Sequence, residues 1–318
     1  MILSVSRRTD IPNYYSDWFF NALKEGYLCV RNPMNAHQVS KILLSSDIID
    51  CIVFWTKNPE PMLDRIDELE GYNYYFQFSL TGYGTDVEPN VPHKKYEMIP
   101  IFQRLAKKIG KEKVIWRYDP IFFSEKYTPQ YHLRAFEEIA RSLKNYTEKC
   151  VISFVDVYNK NKKNMRNLGS YELENEDLII FVKKLKEIAT ENNMEIASCA
   201  EKVDLDEYGI KHNACIDKEL IEDISGCKID ARKDKNQRLE CGCIESIEIG
   251  MYNTCKNGCK YCYATYSQES VDNNYVKYDF NSPLLCSYVR EDDKLNLRAV
   301  KSLKVKEEQI SISDFQNK

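Results

Sequence analysis

Cys255, Cys259 and Cys262 fall within eight residues of one another in the stretch TCKNGCKYCYAT. Thiolate is a soft ligand, and three thiolates in one short loop suit the corner irons of a cubane iron–sulfur cluster. Electron-transfer cubanes usually take four cysteines. Three leave one iron open to a small chelating molecule. The spacing predicts that Cys259 and Cys262 share a face at the start of a helix. Cys255 then folds back from a loop that Gly258 lets turn tightly, after a short strand from Ser246 to about Tyr252. Zinc and simple burial are the rivals. Structural zinc favours paired C-x-x-C units or added histidines, and burial does not account for three thiols in so polar a segment.

A second set of thiols stands apart from the first. Cys241 and Cys243 form a C-x-C pair, Cys199 ends a strand-like run, and Cys215 lies in KHNACID. Meeting at one rim, the four would suit an auxiliary iron–sulfur cluster or a zinc ion; the alternative is isolated buried cysteines. Cys227 is an outlier, and Cys29, Cys51, Cys150 and Cys286 read as core or surface thiols. The chain holds twelve cysteines, and its start, MILSVSRRTD, carries no apolar signal segment. A reduced, cytoplasmic setting is therefore expected, in which clustered thiols mean metal rather than disulfides.

Polar residues recur where strand-like runs end. Arg7, Arg8 and Asp10 follow the first run, Thr56, Lys57 and Asn58 the second, Ser79 and Thr81 the third. Arg117 and Asp119, Ser153 and Asp156, and Ser198 and Glu201 follow the rest. Arg7, Arg8, Lys57 and Arg117 form a candidate cationic ring for a small or medium anionic substrate. Asp10, Asp119, Asp156 and Glu201 are candidate acid–base groups or hydroxyl binders. Turn chemistry alone also favours such residues at strand ends. His37, His93, His132 and His212 lie apart and match no histidine motif, and there is no P-loop or dinucleotide fingerprint.

The elements that must position these groups are legible as a cadence. Apolar runs begin at Ile2, Asp50, Asn73, Lys113, Cys150 and Met194. Amphipathic segments lie between them, opened by Pro61 or by Thr128 and Pro129 and closed by Gly26, Gly71 or Gly110. Continuous apolar strands alternating with helices predict an α/β fold built on a parallel sheet, a partial or closed TIM-like β/α barrel whose site opens at the carboxyl ends of the strands. The expected organisation is barrel units over 1–235, a cysteine-rich segment integrated with them over 236–290, and a charged tail or terminal helix over 291–318. The stretch from YLCVRNP to KILLSS fits the cadence badly and reads as an excursion.

With 318 residues, 43% hydrophobic and 30% charged, the chain can bury a sizeable core. No run approaches the roughly eighteen apolar residues of a membrane span. A net charge of −4 gives no general basic field for nucleic acid, which is not favoured as a partner.

Cys-x-x-x-Cys-x-aromatic-Cys, with Tyr261 at the aromatic position, resembles the signature of the radical S-adenosylmethionine (SAM) superfamily. GCKYCYA is similar to the version in its spore photoproduct lyase-like branch. The resemblance implies that Cys255, Cys259 and Cys262 hold a [4Fe–4S] cluster whose open iron chelates SAM, with Tyr261 by the adenine. It implies reductive cleavage of SAM to a 5′-deoxyadenosyl radical that abstracts a substrate hydrogen, and a reductant such as ferredoxin or flavodoxin. The chain also resembles, over nearly its whole length, a bacterial family defined as domain of unknown function 1848. SVSRRTDIP, VFWTKNP, WRYDPI, SCAE, CID and the cysteine block carry that likeness. Radical SAM proteins carry their motif after the first barrel strand, whereas here it follows the last. A circularly permuted barrel is expected, with the strand at Ile247–Tyr252 beside ILSVS and the cluster facing Arg7 and Arg8. The alternative is an iron–sulfur or zinc protein whose metal is structural and which binds nucleic acid or a protein partner.

Overall fold

The computed structural model describes residues 1–201 and 203–305. In chain order the strands are β1 (Ile2–Val5), β2 (Tyr27–Arg31), β3 (Gln38–Leu43), β4 (Cys51–Thr56), β5 (Tyr74–Ser79), β6 (Val114–Ile121), β7 (Lys149–Phe154), β8 (Glu195–Ser198), β9 (Lys211–His212), β10 (Ile247–Glu248) and β11 (Lys294–Leu297). The helices are α1 (Ile11–Tyr14), α2 (Ser16–Glu25), α3 (Glu60–Leu63), α4 (Ile99–Ile109), α5 (Pro129–Leu143), α6 (Lys162–Asn167), α7 (Asn175–Glu191), α8 (Lys218–Ser225) and α9 (Gln268–Tyr275).

Eight strands form one parallel sheet in the order β10-β1-β4-β5-β6-β7-β8-β9. Successive residues on a strand point to opposite faces. Ile52, Phe54, Phe76, Phe78, Trp116 and Ile152 therefore join one core with Phe19, Phe102, Phe136 and Leu185 of the helices. Their neighbours Cys51, Val53, Tyr75, Ile115 and Val151 point the other way and pack against Cys215, Ile216, Cys243 and Ile244. Both faces are covered, which is why these strands read as unbroken apolar runs. The Tyr75 hydroxyl and the Gln77 amide both donate to the Cys215 carbonyl, at 2.7 and 2.9 Å, tying the covering segment to β5.

Helix punctuation follows the sequence. Thr128 caps α5 by accepting from the Tyr131 N–H at 3.2 Å, and Gly26 ends α2 in the left-handed region at φ 75°. Two expectations, for the barrel's closure and for the excursion, are made specific, and two, for PMLDRIDELEG and for the tail, are corrected. The sheet is open, since β9 and β10 pair with no further strand among the described residues, and each is only two residues long. PMLDRIDELEG divides into α3 and a 3₁₀ turn over Ile66–Leu69; neither piece has a side-chain cap, and burial of Met62, Leu63, Ile66 and Leu69 holds them instead. The excursion after α2 is an antiparallel hairpin of β2 and β3. The stretch from Arg290 turns into a four-residue strand, β11, laid parallel to the open edge of β3, and just before it Arg31 grips Asp293 through two hydrogen bonds of 2.5 and 2.8 Å. The remainder of that expected tail, 306–318, lies outside the described residues. No helix among the described residues is long and apolar enough to cross a membrane.

Candidate metal centre

The strand that precedes the cysteine loop is the two-residue β10, and it does lie parallel beside β1, with Leu3 opposite Ile247 and Ser4 opposite Glu248. Glu248 fixes this join. Its carboxylate accepts from the Ser4 hydroxyl at 2.8 Å and the Arg7 N–H at 3.0 Å through one oxygen, and from the Gly250 N–H at 2.8 Å through the other. Gly250 has to be glycine, because a Cβ there would overlap the Ser6 side chain. The cysteine loop thus emerges beside the carboxyl end of β1.

The loop is not helical, contrary to its periodicity. Cys259 and Cys262 sit on a turn closed by the Cys262 N–H to the Cys259 carbonyl at 3.1 Å, and the next helix, α9, starts only at Gln268. Contacts to the body of the protein replace the helical ladder. The Asn257 side chain donates to Asp10 Oδ2 at 3.0 Å and accepts from the Tyr14 hydroxyl at 2.9 Å. Asn90 donates to the Lys256 carbonyl at 2.7 Å, and Tyr15 donates to that of Thr254 at 2.6 Å. Gly258 has φ 69°, and a Cβ there would stand 3.0 Å from Pro89 Cγ, so it answers both to the turn and to a close approach.

Asp10, read from the sequence as an acid–base candidate, is committed to this scaffold. It caps α1, accepts from the Lys57 N–H at 2.8 Å and holds Asn257. Burial raises its pKa against those donors. Lys57 is committed likewise, through a 2.7 Å ion pair to Glu88, which is fully buried and also bonds Lys94, Thr81 and the Tyr261 hydroxyl. Burial opposes charge on Glu88, but Lys57 and Lys94 outweigh it and hold the carboxyl down at about 2. The network locks Tyr261 from below while Asn161 donates to its carbonyl at 2.9 Å. Glu88, Asn257 and Glu248 were not among the sequence candidates. No local signal marks them, since the partners that tie each of them into the site, Tyr261 and Lys57 for Glu88, Asp10 for Asn257 and Ser4 for Glu248, lie 31 to 247 residues away.

All seven candidate cysteines line one cavity of about 450 Å³, together with Arg7, Arg8, Asp10, Lys57, Arg117, Asp119, Asp156 and Tyr261. That volume falls in the roughly 300–1,000 Å³ range of small-molecule sites. Glu201 and Gly258 do not line it. Glu201 accepts from the Phe154 N–H at 2.8 Å behind the wall, and burial with Asp156 and Asp119 nearby lifts it to about 7.

Most of the expected cationic ring is already neutralised. Arg117 chelates Asp119, Lys57 pairs with Glu88, and Arg7 lies 3.8 Å from Glu248 and over the Trp55 ring; Arg238, a wall residue outside that ring, pairs with Asp156 at 2.5 Å. Among the described residues Arg8 has no carboxylate partner; its guanidinium lies 4.7 Å over the Tyr252 ring and 3.4 Å from the Gly250 carbonyl. The Thr9 hydroxyl in the same wall is buried without a hydrogen-bond partner, so the wall can offer a bound molecule one more polar group.

All twelve cysteines are free thiols. Burial pushes Cys255 up and Cys259 up to about 12, so this wall favours thiolates only when a cation joins them. The Ala264 N–H already points at Cys262 Sγ, 3.3 Å away. Cys215 behaves oppositely. Hydrogen bonds from Cys199 and Cys243, with Arg117 alongside, pull it well down, and Cys241 falls to about 6 beside Cys243. No three of these sulfurs lie mutually within 4.8 Å. A tetrahedral zinc with Zn–S near 2.3 Å needs sulfurs about 3.8 Å apart. The thiols as placed do not form a closed four-sulfur site for one ion, although Cys199 Sγ and Cys215 Sγ approach to 3.1 Å.

The fold and site define an α/β protein with a thiol-lined cavity at the carboxyl ends of a parallel sheet. A family model described as Domain of unknown function (DUF1848) matches residues 2–264, and the chain belongs to that family. No curated protein matches it.

Proposed function

We propose that the protein is an iron–sulfur enzyme of radical SAM-like type, in which Cys255, Cys259 and Cys262 hold a [4Fe–4S] cluster with one iron open to SAM. The observation that carries this reading is the convergence of the three thiols on the wall of one cavity, beside the β10–β1 join. That join also supports the permuted-barrel reading, because it returns the loop to the end of the first strand. Bound together, cluster and SAM supply a 5′-deoxyadenosyl radical on one-electron reduction, as in the superfamily that the motif resembles.

This chain's residues hold and screen that chemistry. Asp10 and Asn257 fix the loop, and the Glu88 network fixes Tyr261, whose cavity position suits an adenine contact. Arg8 is the cation left to take a carboxylate or phosphate, from SAM or from a small or medium anionic substrate. Asp119, held by Arg117 and Ser153, and Asp156, held by Arg238, are the carboxylates in the wall that can accept a substrate hydroxyl. The reductant is a small electron carrier such as ferredoxin or flavodoxin.

Anaerobic reconstitution with iron and sulfide, then dithionite and SAM, tests the reading. The wild type should release 5′-deoxyadenosine, and Cys259→Ala should release none. Colourless protein carrying stoichiometric zinc would replace this reading with a structural metal that serves nucleic-acid or protein binding.

A further inference from the structure

The reading above uses three of the seven cavity cysteines. Cys199 follows β8, Cys215 follows β9, and Cys241 and Cys243 precede β10, so three separate segments deliver the other four to the same wall. Cys199 Sγ and Cys215 Sγ lie 3.1 Å apart, unbonded. Nitrogen donors point at the sulfurs: Arg117 Nη1 reaches Cys215 Sγ at 2.9 Å, Asn213 Nδ2 reaches it at 3.8 Å, and the Ile216 N–H reaches Cys243 Sγ at 3.3 Å. A cysteine buried only for packing needs no such donors, whereas sulfur bound to iron is commonly hydrogen-bonded and its potential set by those bonds. The Cys215 carbonyl is clamped by Tyr75 and Gln77, which holds this ligand position rigid against the sheet.

We propose that Cys199, Cys215, Cys241 and Cys243 hold a second iron–sulfur cluster, ligated by protein thiolate at every position and facing the same cavity as the first. Four thiolates from one chain close either a two-iron or a four-iron cluster, and the 3.1 Å approach of Cys199 and Cys215 is that of two thiolates meeting at one metal atom; a single zinc is the rival that iron and sulfide counts separate. With no open iron, this cluster stores or passes an electron at the cavity and does not chelate substrate. Arg117 belongs to it through Cys215, which explains why that arginine is already occupied. The inference does not depend on SAM binding by the first set.

Iron and acid-labile sulfide counts on anaerobically reconstituted protein test it. The wild type should hold more than the about four irons of one cubane. Cys255→Ser/Cys259→Ser/Cys262→Ser should keep about two or four irons with matching sulfide, and further change of Cys199→Ser and Cys241→Ser should remove them. Cys227→Ser, outside the cavity, should keep the wild-type count. A triple variant that retains its circular dichroism but binds no iron, or binds only zinc, overturns the proposal. If the triple variant fails to fold, a wild-type count of about four or fewer irons overturns it. Loss of 5′-deoxyadenosine with iron retained in the triple variant would instead bear on the first cluster alone.

Discussion

Glu88 shows how much of this site is set by single side chains that never touch the cavity's contents. Two lysines and a tyrosine share its carboxylate with no water between. Glu88→Gln leaves Lys57 and Lys94 buried without a counter-charge, and removing one partner of a buried pair costs roughly 3–5 kcal/mol. The denaturation midpoint should fall accordingly; a change under roughly 1 kcal/mol would mean the network is solvent-screened. Gly258→Ala adds a Cβ at positive φ and against Pro89, whereas Gly169→Ala adds one at φ 62° with open space around it. Only the first should release iron from reconstituted protein, and equal retention in both would show that the Pro89 contact is unimportant. Gly258 and the three thiols were legible because their signal is local spacing. Glu88 was not, because Tyr261 lies 173 residues away and nothing in TDVEPNVP announces the pairing.

Elements were legible where burial made them periodic. Six apolar runs became β1, β4, β5, β6, β7 and β8, since a strand covered on both faces has to be apolar throughout. The cysteine loop misled because the i, i+3 spacing of Cys259 and Cys262 suits a turn as well as a helix, and side-chain anchors such as Asn257 decided between them. α5 carries a testable consequence. His132 is fully buried, between the Tyr118 hydroxyl and the Phe122 carbonyl, each at 2.9 Å, and burial lowers it to about 4. The unfolded imidazole binds its proton near pH 6.5. Between those values unfolding takes up a proton, so stability is full above about pH 6.5 and falls as pH drops toward about 4, by up to roughly 3 kcal/mol. His132→Asn should flatten that part of the stability–pH curve, and an unchanged slope would assign the proton uptake elsewhere.

Across the molecule, the sheet gathers at its carboxyl ends residues that the sequence scatters over more than two hundred positions, and this convergence could only be guessed at from the cadence. Charge pairing was not legible either. Arg7, Lys57 and Arg117 looked free on the page and are each answered by an acid in the fold. Arg8→Ala should raise KM for SAM or substrate roughly ten- to hundred-fold, the value of one charge-assisted hydrogen bond, with the iron content intact. Unchanged KM for both would remove Arg8 from recognition. The open iron is the claim on which the whole functional account rests. Electron paramagnetic resonance of the dithionite-reduced wild type, recorded before and after SAM is added, examines it most directly. A cluster signal whose g-values shift with SAM is the expected result; an iron-containing protein whose spectrum ignores SAM would contradict the account.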